Sequence, residues 1–90
     1  MLVDDDTYMK ISVVIPTYNE AATIVELVNR VNRVDIPKEI IVVDDGSTDG
    51  TLEQLQTLEK QHDNLRFFVQ PGNKGKGAAL RLGFQQATGD

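Results

Sequence analysis

Residues 39–51 read Glu-Ile-Ile-Val-Val-Asp-Asp-Gly-Ser-Thr-Asp-Gly-Thr, and they contain the clearest indication of the fold class. Its first part, Glu39 to Val43, is an almost uninterrupted apolar and β-branched run, which suits a strand covered on both faces. The polar part, residues 44–49, predicts a turn, and residues 47–49 all have side chains suited to the N-cap of a helix over about residues 50–61. A buried strand leading through a polar turn into a helix predicts one unit of a parallel α/β sheet.

The same pattern recurs on both sides of this stretch. Ile11 to Ile15 is a β-branched run, and Pro16, which has no N–H to donate, is expected to end it. A helical apolar spacing over about Ala21 to Val34 follows, and it predicts one buried face made of Ala21, Ile24, Val25, Val28 and Val31. Leu65 to Gln70 predicts a third strand, and Gly75 to Ala87 a third helix. The order β-α-β-α-β-α predicts a Rossmann-like α/β half-domain with three layers, a parallel sheet of three strands in the order 3-2-1, and three helices.

Composition narrows the function classes. The 90 residues carry 9 Lys and Arg against 14 Asp and Glu, a net charge of −5 that argues against non-specific nucleic-acid binding. With no cysteine, disulfides and thiolate chemistry are excluded. Residues 1–9 are expected to form a flexible acidic tail, separate from a domain over residues 10–90. No membrane span or secretory signal is recognisable, so a cytoplasmic location is expected. For a longer parent protein, a location at the cytoplasmic face of a membrane stays an alternative.

Three polar clusters follow the three predicted strands, at the edge of the sheet where open α/β folds bind ligands. The first is Pro16-Thr17-Tyr18-Asn19-Glu20. Tyr18 offers a flat ring and a hydroxyl to a base or sugar. Asn19 is expected to cap the first helix, and Glu20 to favour its dipole. The cluster is equally compatible with a plain strand–helix turn.

The second and third clusters add carboxylates and a glycine-lysine segment. Asp44 and Asp45 follow the second strand, where one carboxylate is able to cap a helix and the other to accept hydrogen bonds from a base imide or a ribose hydroxyl. Gly46 permits a tight turn. Residues 72–77, Gly-Asn-Lys-Gly-Lys-Gly, resemble a phosphate-binding helix start, although the spacing is neither a Walker A loop nor a dinucleotide fingerprint. A capped turn and a solvated loop remain the simpler alternatives for each.

Taken together, the motifs resemble glycosyltransferase family 2. They are Ile-Ser-Val-Val-Ile-Pro-Thr-Tyr-Asn-Glu at 11–20, Ile-Ile-Val-Val-Asp-Asp-Gly-Ser-Thr-Asp-Gly-Thr at 40–51, Asn-Lys-Gly-Lys-Gly-Ala-Ala at 73–79, and Ala-Thr-Gly-Asp at 87–90. The branch that looks most similar is that of the polyprenyl-phosphate (dolichyl-phosphate) sugar synthases. The resemblance implies a GT-A fold and an inverting transfer of a hexose from a UDP- or GDP-sugar to an acceptor such as polyprenyl phosphate.

The resemblance also implies which residues bind the nucleotide. They are Pro16, Thr17, Tyr18, Glu20, Asp44, Asp45, Gly46, Ser47, Gly75, Lys76 and Gly77, with Asp45 favoured for the base.

The metal site of the family is expected outside this sequence. The family's Asp-x-Asp motif, which holds a divalent cation (Mg²⁺ or Mn²⁺), comes on the strand just after the Thr-Gly-Asp sequence, so it is expected to lie beyond Asp90. No catalytic residue and no metal ligand is therefore expected within residues 1–90, Asp90 included. Because metal-assisted departure of the diphosphate needs those carboxylates, the 90-residue chain is expected to be inactive in transfer.

Two other functions compete with this one. A stand-alone, non-catalytic nucleotide-sugar-binding or regulatory module would share the same clusters. A phospho-acceptor signalling domain would need an acidic pocket at the first strand end, where this chain has Pro-Thr-Tyr. The base, the sugar and the acceptor stay open. Because the first strand lies at an apolar edge of the predicted sheet, we also expect self-association through that strand or the third helix.

Overall fold

The computed structural model describes residues 11–70 and 74–87. Six elements follow one another in the predicted order: β1 Ile11–Thr17, α1 Ile24–Arg33, β2 Lys38–Asp44, α2 Thr51–Gln61, β3 Leu65–Val69 and α3 Lys76–Gln86. The predicted tail over residues 1–9 and the turn over 71–73 lie outside the described residues. So does the Thr-Gly-Asp sequence at 88–90, including Asp90, beyond which the metal-binding motif is expected.

The three strands form one parallel sheet with β2 in the centre, which confirms the predicted strand order. In the register, Ile15 of β1 stands beside Val42, and Val42 stands beside Phe67 of β3. Because β2 has a neighbour on each side and a helical layer on each face, its apolar run is fully enclosed, as predicted for a near-continuous run.

One face of the sheet, here called the α1/α2 face, holds the larger core. Ile40 and Val42 point to this side and are completely buried together with residues of both helices, among them Val28 and Leu55. Val25, which the helical spacing placed on the buried side, is instead 39% exposed. The reason is that α1 rests on the sheet along the row that contains Ile24 and Val28, and Val25 is turned about 100° away from Ile24.

The opposite face, here called the α3 face, is covered by α3 through a smaller core. Ile41 and Val43 pack there against Ala79. Next to it α3 approaches β1 so closely that a Cβ built on Gly83 would stand 2.2 Å from Val14 Cγ1. No side chain fits that space, so this glycine is required for the observed distance between helix and strand.

Pro16 does not end β1, contrary to expectation, since the strand continues through Thr17. Ile11 donates its N–H to the backbone just before β2, and Thr17 accepts the N–H of Asp45 just after it. The odd-numbered residues of β1 therefore direct their backbone groups to β2, because these groups alternate in direction along a strand. The backbone of Pro16 faces the outer edge, where a missing N–H removes no ladder hydrogen bond.

The first helix also begins later than predicted. Asn19 and Glu20 precede a turn, and α1 starts at Ile24 with Thr23 at the N-cap position, where no side chain caps the helix. Asn19 adopts a left-handed backbone with φ of 52°. This conformation is open to Asn at modest cost and directs its side chain across to the next loop.

Candidate functional site

A pocket opens at the carboxyl end of the sheet, between the end of β1 and the start of α3. It is lined by Pro16, Thr17, Tyr18, Glu20, Asp45, Lys76 and Ala79. Six of these seven residues belong to the predicted nucleotide site, and the structure brings them together from all three clusters. We call this the strand-end pocket. It combines a flat ring, two carboxylates and an ammonium group around a buried alanine.

Asp45 lies at the centre of the contacts between the pocket and α3. Its Oδ1 accepts hydrogen bonds from Gln70 Nε2 at 2.9 Å and from the Lys74 N–H at 2.8 Å. Its Oδ2 accepts the Gly75 N–H at 3.0 Å. Desolvation raises the pKa of Asp45, but the three hydrogen bonds outweigh it, so that the pKa stays below its ordinary value. Asp45 is thus an ionised acceptor at the pocket wall.

Asp44, its neighbour in sequence, points to the other side of the sheet and is completely buried. Thr17 and Ser47 donate their hydroxyls to Asp44 Oδ1. The N–H groups of Gly46 and Ser47 donate to Oδ2, at 3.0 and 2.7 Å. Four donors match the roughly four acceptor positions of a carboxylate, so Asp44 shapes the turn and does not line the pocket. Gly46, with φ of 86°, makes the turn around it.

Four hydrogen bonds, which we call the inter-loop clamp, join the loop after β1 to the loop after β2. They run from the N–H of Asn19 to Ser47 Oγ, from the N–H of Thr48 to Asn19 Oδ1, from the N–H of Glu20 to Thr51 Oγ1, and from the N–H of Ala21 to Asp49 Oδ2. The residues that looked like helix caps in the sequence therefore hold the loop that carries Tyr18 and Glu20.

Asp49 completes the clamp through Thr51. The hydroxyl and the N–H of Thr51 both donate to Asp49 Oδ1. The Thr51 hydroxyl is the main reason why the pKa of Asp49 is lowered; desolvation acts against it, and the backbone N–H groups of Ala21 and Thr51 support it. An ionised Asp49 at the start of α2 is also favourable to the helix dipole.

The glycine-lysine segment enters the site only in part. Lys76 lines the pocket at the first turn of α3, and Gly75, with φ of 89°, turns the chain into that helix. Gly77 is exposed, and a Cβ there would meet only Arg81 Nη1, at 3.8 Å. Contact of any of these residues with a ligand stays a prediction.

Two residues of the site were not predicted from the sequence. Ala79 is a pocket residue because α3 lies so close to β1. The small residues Ala78, Ala79, Gly83 and Ala87 in the sequence indicate a helix packed closely on the sheet, but they do not indicate a pocket. Gln70 is 5% exposed at the end of β3 and bonds Asp45. A single glutamine at a strand end carries no sequence signal that would have distinguished it.

The expected metal site has no counterpart in the part of the chain that the structure describes. Within residues 11–70 and 74–87, no group of three or more His, Asp or Glu side chains is placed to hold a metal ion. The described residues therefore do not supply the ligands for the divalent cation that the family resemblance implies. Asp90 lies outside the described residues, so the position of the Asp-x-Asp motif beyond Asp90 stays a prediction.

Membrane-spanning character was likewise not expected from the sequence. Among the described helices, none has the length and apolar character needed to cross a bilayer.

Comparison with known proteins agrees with the geometry. The family model described as glycosyl transferase family 2 matches residues 12–90, nearly the whole chain. The chain belongs to glycosyl transferase family 2. Among curated family 2 relatives, it is 39% identical to glycosyltransferase AglE of Haloferax volcanii over 88% of its length, and 39% identical to a dolichol-phosphate mannosyltransferase of Pyrococcus furiosus over 91%.

Solved family 2 structures share the fold. The mannosyltransferase PcManGT of Pyrobaculum calidifontis, in complex with GDP-Man and Mn²⁺, matches 98% of this chain with a TM-score of 0.83 and 34% identity. Staphylococcus aureus TarS in complex with UDP matches 90% with a TM-score of 0.79 and 36% identity. The chain spans 24–27% of the length of these relatives, so it corresponds to about a quarter of each. The GT-A type α/β half-domain is thereby confirmed.

Proposed function

We propose that this chain is the nucleotide-sugar-binding part of an inverting glycosyltransferase that transfers a hexose from a UDP- or GDP-sugar to an acceptor. The observation that carries the proposal is the strand-end pocket, in which Tyr18 after β1, Asp45 after β2 and Lys76 at the start of α3 converge. Membership of glycosyl transferase family 2 supports it. Two similar solved structures also support it, because PcManGT is in complex with GDP-Man and TarS with UDP.

The pocket residues suit the parts of a nucleoside diphosphate. The Asp45 carboxylate accepts an imide N–H of the base, since it is ionised and three donors already fix its orientation. Tyr18, 47% exposed, offers its ring to the flat face of the base or sugar. Glu20 is an acceptor for ribose hydroxyls. Lys76 at the start of α3 supplies positive charge to the diphosphate, with the helix dipole adding to it.

Sugar transfer itself requires more than this pocket. Departure of the diphosphate is assisted in this family by a divalent cation, and the described residues do not assemble a site for one. We therefore propose that the domain over residues 10–90 binds the nucleotide and that the 90-residue chain alone does not transfer sugar. Incubation with UDP- or GDP-hexose, polyprenyl phosphate and Mn²⁺ should give no glycosylated lipid; metal-dependent product would contradict this.

Polyprenyl phosphate is the acceptor we propose for the parent enzyme. The support is similarity to a dolichol-phosphate mannosyltransferase and to an undecaprenyl-phosphate 4-deoxy-4-formamido-L-arabinose transferase, at 39% and 36% identity. Other relatives of similar identity are named for polymer products: the poly(ribitol-phosphate) β-N-acetylglucosaminyltransferase TarS is 40% identical. An acceptor assay on the parent enzyme, with polyprenyl phosphate against a glycopolymer, separates these alternatives.

Nucleotide binding by the chain is tested by titration with UDP and with GDP. Because the pocket residues provide only part of the nucleotide-binding crevice, each nucleotide should bind with a dissociation constant of ~1 mM. This corresponds to a binding free energy of about −4 kcal/mol. Asp45→Ala should abolish this binding. Asp63→Ala is the matched control, because it removes an equal charge from an exposed turn at the opposite end of β3. Micromolar affinity, or binding that survives Asp45→Ala, would overturn the assignment of Asp45 to the base.

We also propose that the chain self-associates, with β1 or α3 at a two-fold interface. In the described sheet β1 pairs with β2 alone, and Phe84 on α3 is 64% exposed. An apolar edge strand is a template for a second chain. Sedimentation at several concentrations should show a dimer, weakened by Phe84→Ser and not by Val34→Ser at the end of α1. A monomer at high concentration, with α3 protected from hydrogen exchange, would contradict this.

A further inference from the structure

Gln70 is a buried polar residue that connects three parts of the site. Its backbone N–H donates to the carbonyl of Asp44 at 2.8 Å, which fixes the end of β3 against β2. Its side-chain Nε2 donates to Asp45 Oδ1 at 2.9 Å and to the carbonyl of Gly75 at 3.2 Å. An amide nitrogen has two protons, and both have an acceptor here. The orientation of the amide is therefore determined by its surroundings.

We propose that Gln70 is a positioning residue of the strand-end pocket, which holds the Asp45 carboxylate in the orientation and the ionised form that accept a base N–H. The inference rests on the proposed nucleotide binding. Gln70 acts through Asp45 and not by direct contact with the ligand.

The count of hydrogen bonds around Asp45 supports this role. Gln70 and the Lys74 N–H occupy Oδ1, while the Gly75 N–H occupies one position on Oδ2. A carboxylate has about four acceptor positions, so one on Oδ2 is left for a ligand. Without the Gln70 amide, Oδ1 would regain an acceptor position and the carboxylate would lose the side-chain contact that fixes its rotation.

The charge state of Asp45 depends on the same contact. Desolvation raises its pKa, and among the hydrogen bonds that lower it the one from Gln70 ranks first, ahead of those from Gly75 and Lys74. The other titratable groups lining the pocket are Tyr18, Glu20 and the Lys76 ammonium. Removal of the Gln70 donor leaves these groups in place and leaves the desolvation of Asp45 less compensated. The pKa of Asp45 should then rise.

The experiment follows the side-chain carboxyl carbon of Asp45 by NMR as the pH is lowered. In the wild-type chain the midpoint should lie below 3.8. In Gln70→Met, which keeps a side chain of similar length and has no donor, the midpoint should move upward. The control Gln56→Met, on the exposed side of α2, should leave it unchanged. An unchanged midpoint in a folded Gln70→Met variant would overturn the proposal.

A second measurement needs no variant and works at neutral pH. The side-chain amide protons of Gln70 should exchange with solvent more slowly than those of exposed Gln56; equal rates would overturn the proposal even if Gln70→Met fails to fold. Titration with UDP and GDP distinguishes failure of the positioning role from failure of nucleotide binding. Loss of affinity in Gln70→Met supports positioning, whereas a wild-type chain that binds neither nucleotide contradicts the proposed function while the Asp45 midpoint still reports on Gln70.

Discussion

The α1/α2 face and the α3 face of one small sheet differ in what they bury. The first encloses a large aliphatic core and the completely buried Asp44. The second has a small core, a helix in close contact at Gly83, and the strand-end pocket with Asp45 at its wall. Two adjacent aspartates thus enter different environments because successive side chains of a strand point to opposite faces. The larger core therefore lies on one face, and the proposed ligand site lies on the other.

The largest effect is expected from the core of the α1/α2 face. Leu55→Ala should lower the free energy of unfolding by about 2–5 kcal/mol, because it removes a completely buried side chain and leaves a cavity. Leu27→Ala on the exposed side of α1 is the matched control and should cost less than ~1 kcal/mol. Urea unfolding measures both. Equal losses would mean that this core does not dominate stability.

The α3 face should respond to added volume. Gly83→Ala should destabilise the chain by about 1–3 kcal/mol, because the new methyl group would collide with Val14. Gly77→Ala, in the same helix but with space for a methyl group, should stabilise by about 0.5–1 kcal/mol through helix propensity. If both variants shift stability in the same direction, the close approach of α3 to β1 is not present in solution.

The inter-loop clamp connects the two faces, since it positions the pocket loop from the α2 side. Thr51→Val should cost about 1–2 kcal/mol, because it leaves the N–H of Glu20 without its partner, and it should also weaken nucleotide binding. Thr57→Val removes an exposed hydroxyl from the same helix and serves as the control. Urea unfolding and nucleotide titration of both variants measure the two effects. Unchanged affinity in Thr51→Val would show that the inter-loop clamp does not contribute to nucleotide binding.

A smaller effect is expected from pH. Asp45 and Asp49 have lower pKa values in the folded chain than the ordinary value of 3.8. Their contribution to stability is therefore fully present above pH 3.8 and is lost as the pH falls through the folded pKa. Asp49→Asn should make the free energy of unfolding less dependent on pH below 3.8, as acid titration followed by urea unfolding will show. An identical slope in the variant would contradict this.

The fold could be predicted from the sequence where local residue patterns determine the structure. The β-branched run of β2 required burial on both faces, and the order of elements required a parallel sheet. Prediction failed where the outcome depended on tertiary geometry. Pro16 remains in β1 because it faces an edge, and Asn19 bridges two loops instead of capping α1 because its left-handed backbone turns it toward Thr48. Gln70 acquires its place only through the approach of Asp45 and Gly75.

The most direct measurement is a map of amide chemical-shift changes when UDP or GDP is added to the labelled chain. We expect changes at Tyr18, Glu20, Asp45 and Lys76 around the strand-end pocket, and no change at Leu55 on the α1/α2 face. The changes should disappear in Asp45→Ala. Changes centred on the α1/α2 face, or no change with either nucleotide at several millimolar, would show that this chain does not bind a nucleoside diphosphate at the strand-end pocket.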